Sequence, residues 1–306
     1  MILEVNNLQK TFVNNGVCNV ACNGISFYVE EHECLGLIGE SGCGKSTSAN
    51  MIAGLLKPDG GSIVFEGKEL LTGSPRQQRL ARKNMQMIFQ NPQASFNPRI
   101  KLSKAIVEPL TLSGNKHSKA EIEALLDSAL AAVGLKSEYK DKYAWEISGG
   151  ECQRAAIARA MICKPRFLIC DEITSALDVS IQAQIMHLIY DLKRSSDISY
   201  LFISHDLAVV SNLCDKVAVM YNGSIVEYGP TMEVVNHPLH PYTKDLITNA
   251  LHPGENEIFQ NAGDEAVQSG CAYYRFCKAA KDSCRTSCGQ IDMTGEHNSR
   301  CLIRNI

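Results

Sequence analysis

The 306-residue sequence has no uninterrupted apolar run near the roughly 18 to 20 residues that cross a bilayer. Its opening, MILEVNNLQK, also lacks the basic-then-apolar order of a secretory leader. A chain that stays in the cytoplasm is the expectation. A basic excess is absent too: 30 Lys and Arg against 33 Asp and Glu leave a formal charge of -3, which excludes a global attraction to nucleic acid. There is no internal repeat and no low-complexity tract. What is present is ample apolar material, 45% of residues, enough for a proper buried core. The 13 cysteines follow no framework spacing, and Cys34 and Cys170 fall inside apolar runs, so they read as reduced buried thiols.

The texture changes three times along the chain. Residues 1–99 alternate short apolar runs with turns; ILEVNNL, ISFYV, CLGLI, SIVFEG and MQMIF predict strands of one β-rich lobe with an early helix. From about 100 to 147 the pattern turns helical, with Ile122, Leu125, Leu126, Ala129, Leu130 and Val133 on one face, which predicts a small helical subdomain. From 148 to about 228 helix and strand alternate, and RFLICDE and SYLFISHD predict strands buried on both faces of a parallel sheet. After Gly229-Pro230 a short helix and HPLHPYTKDLI lead into a tail rich in Gly, Asn and Cys, taken as an appended segment over 237–306.

GESGCGKST, residues 39–47, fits the spacing G-x-x-x-x-G-K-[ST], follows the strand CLGLI and precedes the helical run SANMIAGLL. Glycines at Gly39, Gly42 and Gly44 let backbone N–H groups curl around phosphates, and Glu40, Ser41, Cys43 and Thr47 complete the loop. Lys45 neutralises β and γ oxygens, and Ser46 offers a hydroxyl to Mg²⁺. Cys43, beside Lys45 and a helix N-terminus, is expected to be an acidic thiol whose alkylation ATP blocks; inert filler is the rival reading. FLICDE, residues 167–172, ends in two carboxylates at the carboxyl end of a buried strand, where ligands of open α/β sheets bind. Asp171 is expected to reach toward magnesium through water, and Glu172 to polarise the attacking water.

Two more segments, SGGECQR at 148–154 and His205 at the end of the strand LFIS, complete a set that resembles the ATP-binding-cassette (ABC) ATPases over roughly residues 1–235. The fold this implies is α/β, an ABC-type P-loop ATPase with a β-rich lobe, a mostly parallel core sheet and a helical subdomain inserted at about 100–163, together forming an ATPase domain over 1–236. The resemblance implies a head-to-tail dimer in which Ser148, Gly149 and Gly150 meet the γ-phosphate held by the partner's loop, an anion site at a helix tip. By the same resemblance Asp178 crosses between subunits, His205 senses the γ-phosphate, Gln90 ligates magnesium and Phe12 stacks on adenine. Each also has a plain reading: Asp178 a helix cap, His205 a packed strand-end imidazole, Gln90 a loop amide, Phe12 a core ring. The sequence departs from the family pattern at Ile173 (usually Pro), at Glu151 and Cys152 (usually Gln or Arg) and at His32 (usually Gly).

NHPLHPYTKDLI, with FQNPQASFNPR upstream, resembles the oligopeptide, dipeptide and nickel importers of that family. The resemblance implies a bacterial import motor for peptides or nickel, peripheral on the cytoplasmic face of the membrane. Its partners would be a second, paralogous ATPase subunit, two transmembrane permease subunits that meet the residues after Gln90, and an extracellular substrate-binding protein, with no nucleic acid. A soluble enzyme complex of the phosphonate-lyase kind is the alternative. Cys271, Cys277, Cys284 and Cys301 resemble the subfamily's cysteine-bearing tail, a candidate four-thiolate site for a [4Fe-4S] cluster with zinc as rival; Cys288 is the substitute for Cys301.

Overall fold

The computed structural model describes residues 1–14, 16–112, 117–175, 177–251, 270–291 and 297–303; the tail assigned to 237–306 therefore lies partly outside the described residues. In the first run, Leu3, Val5 and Leu8 are buried while Glu4 is half-buried and Asn6, Asn7 and Gln9 are exposed. It forms β1 (Leu3–Asn14), which pairs antiparallel with β2 (Val17–Val29), Leu3 opposite Val29 and Val5 opposite Phe27. There follow β3 (Cys34–Ile38), α1 (Lys45–Ala53), β4 (Gly60–Phe65), β5 (Lys68–Glu69), α2 (Pro75–Ala81) and β6 (Met85–Ile88). The expected single β-rich lobe is divided between two sheets. β2, β1, β4 and β5 make a four-stranded antiparallel sheet, whereas β3 and β6 belong to a second sheet of seven strands. The reason for β3 is burial: all five of its residues are covered, which requires neighbours on both faces. Just before β3, His32 holds φ +63, a left-handed backbone that favours glycine, which accounts for the glycine of the family pattern.

The insertion contains α3 (Leu102–Leu112), α4 (Lys119–Ala132) and α5 (Gly149–Met161). On α4 and its C-cap, Leu126, Ala129, Leu130 and Val133 are buried and Ile122 and Leu125 are half-buried, so the predicted face is the packed one. Ser118 and Glu121 close its N-terminus as a reciprocal capping box.

The remaining elements are β7 (Phe167–Asp171), α6 (Val179–Ser195), β8 (Ser199–Ser204), α7 (Leu207–Leu213), β9 (Lys216–Tyr221), β10 (Ser224–Pro230), α8 (Thr231–Asn236), α9 (Pro241–Leu251), α10 (Ser283–Thr286) and β11 (Asn298–Ser299). The seven-stranded sheet has the order β11-β10-β9-β3-β8-β7-β6; β9, β3, β8, β7 and β6 are mutually parallel, and β10 and β11 are antiparallel additions. The period of two sorts its side chains between two cores. Leu35, Leu37, Phe167, Ile169, Leu201 and Ile203 join the four-stranded sheet and α1 in one core. Their sequence neighbours Cys34, Ile38, Leu168, Cys170, Tyr200 and Phe202 face the helices in the other.

The C-terminal region docks on this framework. β11 pairs with β10, and Tyr242 and Tyr273 are buried in the helical-side core. Glu227, fully buried on β10, accepts hydrogen bonds from the backbone N–H groups of Leu239 and His240, each at 2.8 Å, and lies 2.8 Å from His297 Nε2. A buried carboxylate is tolerable only with such partners. Glu227→Ala leaves these donors stranded, and a thermal or denaturant melt should show a loss of about 3 kcal/mol with earlier proteolysis after residue 236.

Candidate active site

β3 delivers the glycine-rich loop at the carboxyl edge of the sheet, and α1 begins directly at Lys45. A Cβ on Gly39 would lie 2.1 Å from the Met220 carbonyl oxygen, and one on Gly44 would lie 2.0 Å from that of Ala21. These two glycines are thus required by the strand backbones packed behind the loop, a closer constraint than the phosphate approach the spacing suggests. Gly42 is the open one: φ +81 with nothing within 4 Å of its missing side chain.

Lys45 is 4% exposed, and its ammonium donates to the Gly39 and Glu40 carbonyl oxygens, both at 2.8 Å. These bonds hold the loop curled around its own lysine. Ser46 Oγ donates to Asp171 Oδ1 at 2.9 Å, which brings hydroxyl and carboxylate to one point. Burial raises the Asp171 carboxyl above its ordinary value, against the lowering effect of Ser46 and Lys45. Burial likewise raises Glu40.

Glu172 follows β7 with φ +44, a left-handed backbone that costs a side-chain-bearing residue energy and is found at functional turns. Its carboxylate accepts from Gln90 Nε2 at 2.7 Å and lies 3.8 Å from His205 Nδ1 and 3.9 Å from Lys45 Nζ. Three residues separated by up to 160 positions in the chain, Lys45, Gln90 and His205, therefore meet at one carboxylate. His205 is 60% exposed at its side chain and so is not the packed imidazole of its plain reading.

The signature segment lies elsewhere. Ser148 caps α5, and no hydrogen bond or ion pair joins it to residues 39–47 among the described residues. Its hydroxyl donates to Glu151 Oε2 at 2.8 Å, and Glu151 N–H returns a bond to Ser148 Oγ at 3.3 Å. Tyr139 OH also donates to Glu151, and these bonds hold that carboxyl below the usual range. Gly149 is half-buried at the tip, whereas Gly150 is buried with its missing Cβ only 2.6 Å from Ile181 Cγ2, a packing need of α5 against α6. Asp178 is the N-cap of α6, accepting from Ile181 N–H at 3.0 Å and Ser180 Oγ at 2.8 Å, its plain reading realised. Phe12, on β1, is 36% exposed with Lys10 Nζ 5.6 Å from its ring centroid, so it is not a core ring.

In the tail, Cys271, Cys277, Cys284, Cys288 and Cys301 line one cavity of about 20 Å³ with His240 and Tyr273. Burial pushes the Cys271 thiol up to about 11 and raises Cys277 and Cys301. Among the described residues no three His, Cys, Asp or Glu side chains stand in an arrangement that would hold a metal ion as they are. Three features were not read from the sequence. Tyr242 accepts a hydrogen bond from the Glu40 N–H at 3.1 Å; Gln153 on α5 is fully buried with neither amide atom partnered among the described residues; Trp145 is 65% exposed beside a groove of about 260 Å³ with Gln93, Ala94, Phe96, Pro98 and Ala144. None of these has a local signal, unlike the Glu151 contact above, which the Ser-x-x-Glu spacing of a capping box marks.

A glycine-rich loop ending in a buried lysine, a strand-end carboxylate pair and an inserted helical subdomain define a cassette ATPase. Residues 22–175 match the family described as ABC transporter, and the chain belongs to that family as an ATP-hydrolysing subunit. Residues 226–284 match the oligopeptide/dipeptide transporter C-terminal region, which places it among the cassettes that carry this tail. The chain is 42% identical over 291 residues to the oligopeptide transport ATP-binding protein OppF of Escherichia coli K12, covering 92% of this chain and 87% of that one. It is 40% identical over 288 residues to the di/tripeptide transport ATP-binding protein DppF of Pseudomonas aeruginosa UCBPP-PA14, covering 92% and 89%. Among solved structures it resembles CbiO1 from Clostridium perfringens, part of the transporter complex CbiONQ, with a TM-score of 0.66, 29% identity, and 77% and 91% coverage. The dimeric cassette MJ0796 bound to ADP and Pi shares the fold at a TM-score of 0.68 and 23% identity, covering 75% and 99%.

The expectation of an acidic Cys43 is overturned. Cys43 is 6% exposed, and burial raises its thiol above the ordinary value despite Lys45 Nζ at 3.9 Å. A raised pKa means less thiolate at neutral pH, so iodoacetamide at pH 7 should label exposed Cys18 well before Cys43 whether or not ATP is present, read by peptide mass spectrometry.

Proposed function

We propose that this chain is one of the two ATPase subunits that drive a bacterial peptide importer. The carrying observation is the pairing of a complete nucleotide loop with the region 226–284 that matches the oligopeptide/dipeptide transporter C-terminal family. Peptide is favoured over nickel as cargo because the relatives named above are peptide transport proteins. The soluble-enzyme alternative gains no such support. Among the described residues no helix is long and apolar enough to cross a membrane, in keeping with a subunit peripheral to its permeases on the cytoplasmic face. The groove at Trp145, next to the segment after Gln90, offers a partly apolar seat for a permease helix. The extracellular binding protein would act through the permeases.

Residues 39–47 would hold ATP phosphates, with Lys45 exchanging its two carbonyl acceptors for phosphate oxygens, and Phe12 would meet the base. Ser46 and Gln90, with Asp171 behind Ser46, would hold Mg²⁺; the Ser46 hydroxyl and Asp171 carboxylate, 2.9 Å apart, are the hard oxygen donors that suit that ion. The ion supplies neutralisation of phosphate charge. Glu172 orients the attacking water and accepts its proton as the water oxygen bonds to the γ-phosphorus and ADP leaves with the bridging oxygen, while His205 and Gln90 fix the carboxylate. Ser148, exposed, and Gly149, half-buried, lie at a helix tip suited to the γ-phosphate of a partner subunit. To reach it, Ser148 must turn its hydroxyl from Glu151. Asp178 would follow α6 at that interface.

The tail cavity is proposed as a thiolate site. Its soft donors suit an iron-sulfur cluster or zinc, and binding requires the sulfurs to draw together and lose their protons. Iron and zinc analysis of anaerobically purified protein should find one of the two metals; the absence of both removes this site.

In the assembled transporter, Glu172→Gln should keep ATP binding, hold the ATP-dependent subunit pairing and lower hydrolysis by about 10²-fold or more. Near-normal turnover in that variant removes Glu172 from the role, and failure to copurify with membrane permeases removes the importer reading.

A further inference from the structure

The contact between the C-terminal region and the nucleotide loop assigns a task to Tyr242. Its ring is fully buried, with centroids 4.5 Å from Tyr221 and 5.5 Å from Tyr273, which are themselves 5.2 Å apart. Three mutually packed rings leave the phenol little freedom. Its hydroxyl accepts from the Glu40 N–H at 3.1 Å, across 202 residues of sequence. The Glu40 carbonyl is held from the other side by Lys45 Nζ at 2.8 Å. Residue 40 is thus gripped at both ends of its backbone. When phosphate draws Lys45 away, the tyrosine grip is the one that stays.

The grip is anchored in the tail. Tyr242 N–H donates to His240 Nδ1 at 3.1 Å, which leaves the proton on Nε2, and that nitrogen lies 3.9 Å from Cys271 Sγ at the cysteine cavity. His240 is buried, and the hydrogen bond from Tyr242 N–H fixes the orientation of its ring. Cavity wall, imidazole, tyrosine and phosphate loop form one chain of contacts.

We propose that Tyr242 is a positioning residue for the phosphate loop, holding residue 40 from the C-terminal region so that ATP affinity depends on how that region is docked. This rests on the reading that residues 39–47 bind ATP phosphates. Tyr242→Phe keeps the packed ring and removes the hydroxyl that accepts from Glu40. In the full transporter complex, the Kd for a fluorescent ATP analogue and the KM for MgATP should rise about fivefold, the effect of one lost hydrogen bond, with kcat changed by less than about twofold. Unchanged Kd and KM, or a fall in kcat and melting temperature with KM unaltered, overturns the proposal and leaves Tyr242 a packing residue. In the wild-type protein the amide of Glu40 should exchange hydrogen more slowly than those of Ser41 and Gly42, which have no such acceptor in the described contacts; equal rates overturn it without recourse to any variant. Wild-type protein that binds no ATP would instead refute the assignment of the loop.

Discussion

The ammonium of Lys45 has almost no access to water, and a charge so placed must be met by oppositely polarised groups or it will not be buried at all. In this structure two carbonyl oxygens of its own loop meet it. That requirement shapes the rest of the site. The loop must double back over the start of α1, which brings its glycines against the strand backbones at Ala21 and Met220, and those close approaches exclude any side chain at Gly39 and Gly44. An anionic ligand therefore enters a loop already folded around a cation, and competes with main-chain dipoles instead of bulk water. The reorganisation is small, which is what preorganised electrostatics demands.

The same economy governs the carboxylates. Asp171 and Glu172 are neighbours, yet one is bonded to Ser46 at the head of α1 and the other to Gln90 beyond β6. The left-handed backbone at Glu172 separates their tasks by turning the chain at the strand's end. Two like charges side by side are tolerable because Lys45 stands near both.

The parts of this arrangement that depend on short spacings could be read from the chain alone. Strand, loop and helix around residues 34–53 and the acidic end of β7 are set within a few residues by apolar runs and glycines. Sheet membership was not legible, because a period of two says that a segment is a strand and nothing about which strand lies beside it; hence the lobe that proved to be two sheets. At Cys43 the sequence leaves an acidic and an inert thiol as rivals, and the desolvation that favours the inert one is invisible until the fold buries the side chain. The hold of Glu151 on Ser148 could have been found from its spacing, whereas the grip of Tyr242 on Glu40 could not, since nothing local marks a partner two hundred residues away.

β11 adds two residues to the outer side of β10, although they come about seventy positions later in the chain. A sheet margin invites any extended peptide, including that of a neighbouring nascent chain. On the ribosome this margin stays bare for roughly 4 to 14 seconds while those residues are added, a window set by elongation at about 5 to 20 residues per second. Two residues of a late segment thus cover the part of the margin at Glu227 and Tyr228, whose backbone groups wait on a stretch of chain made well after them.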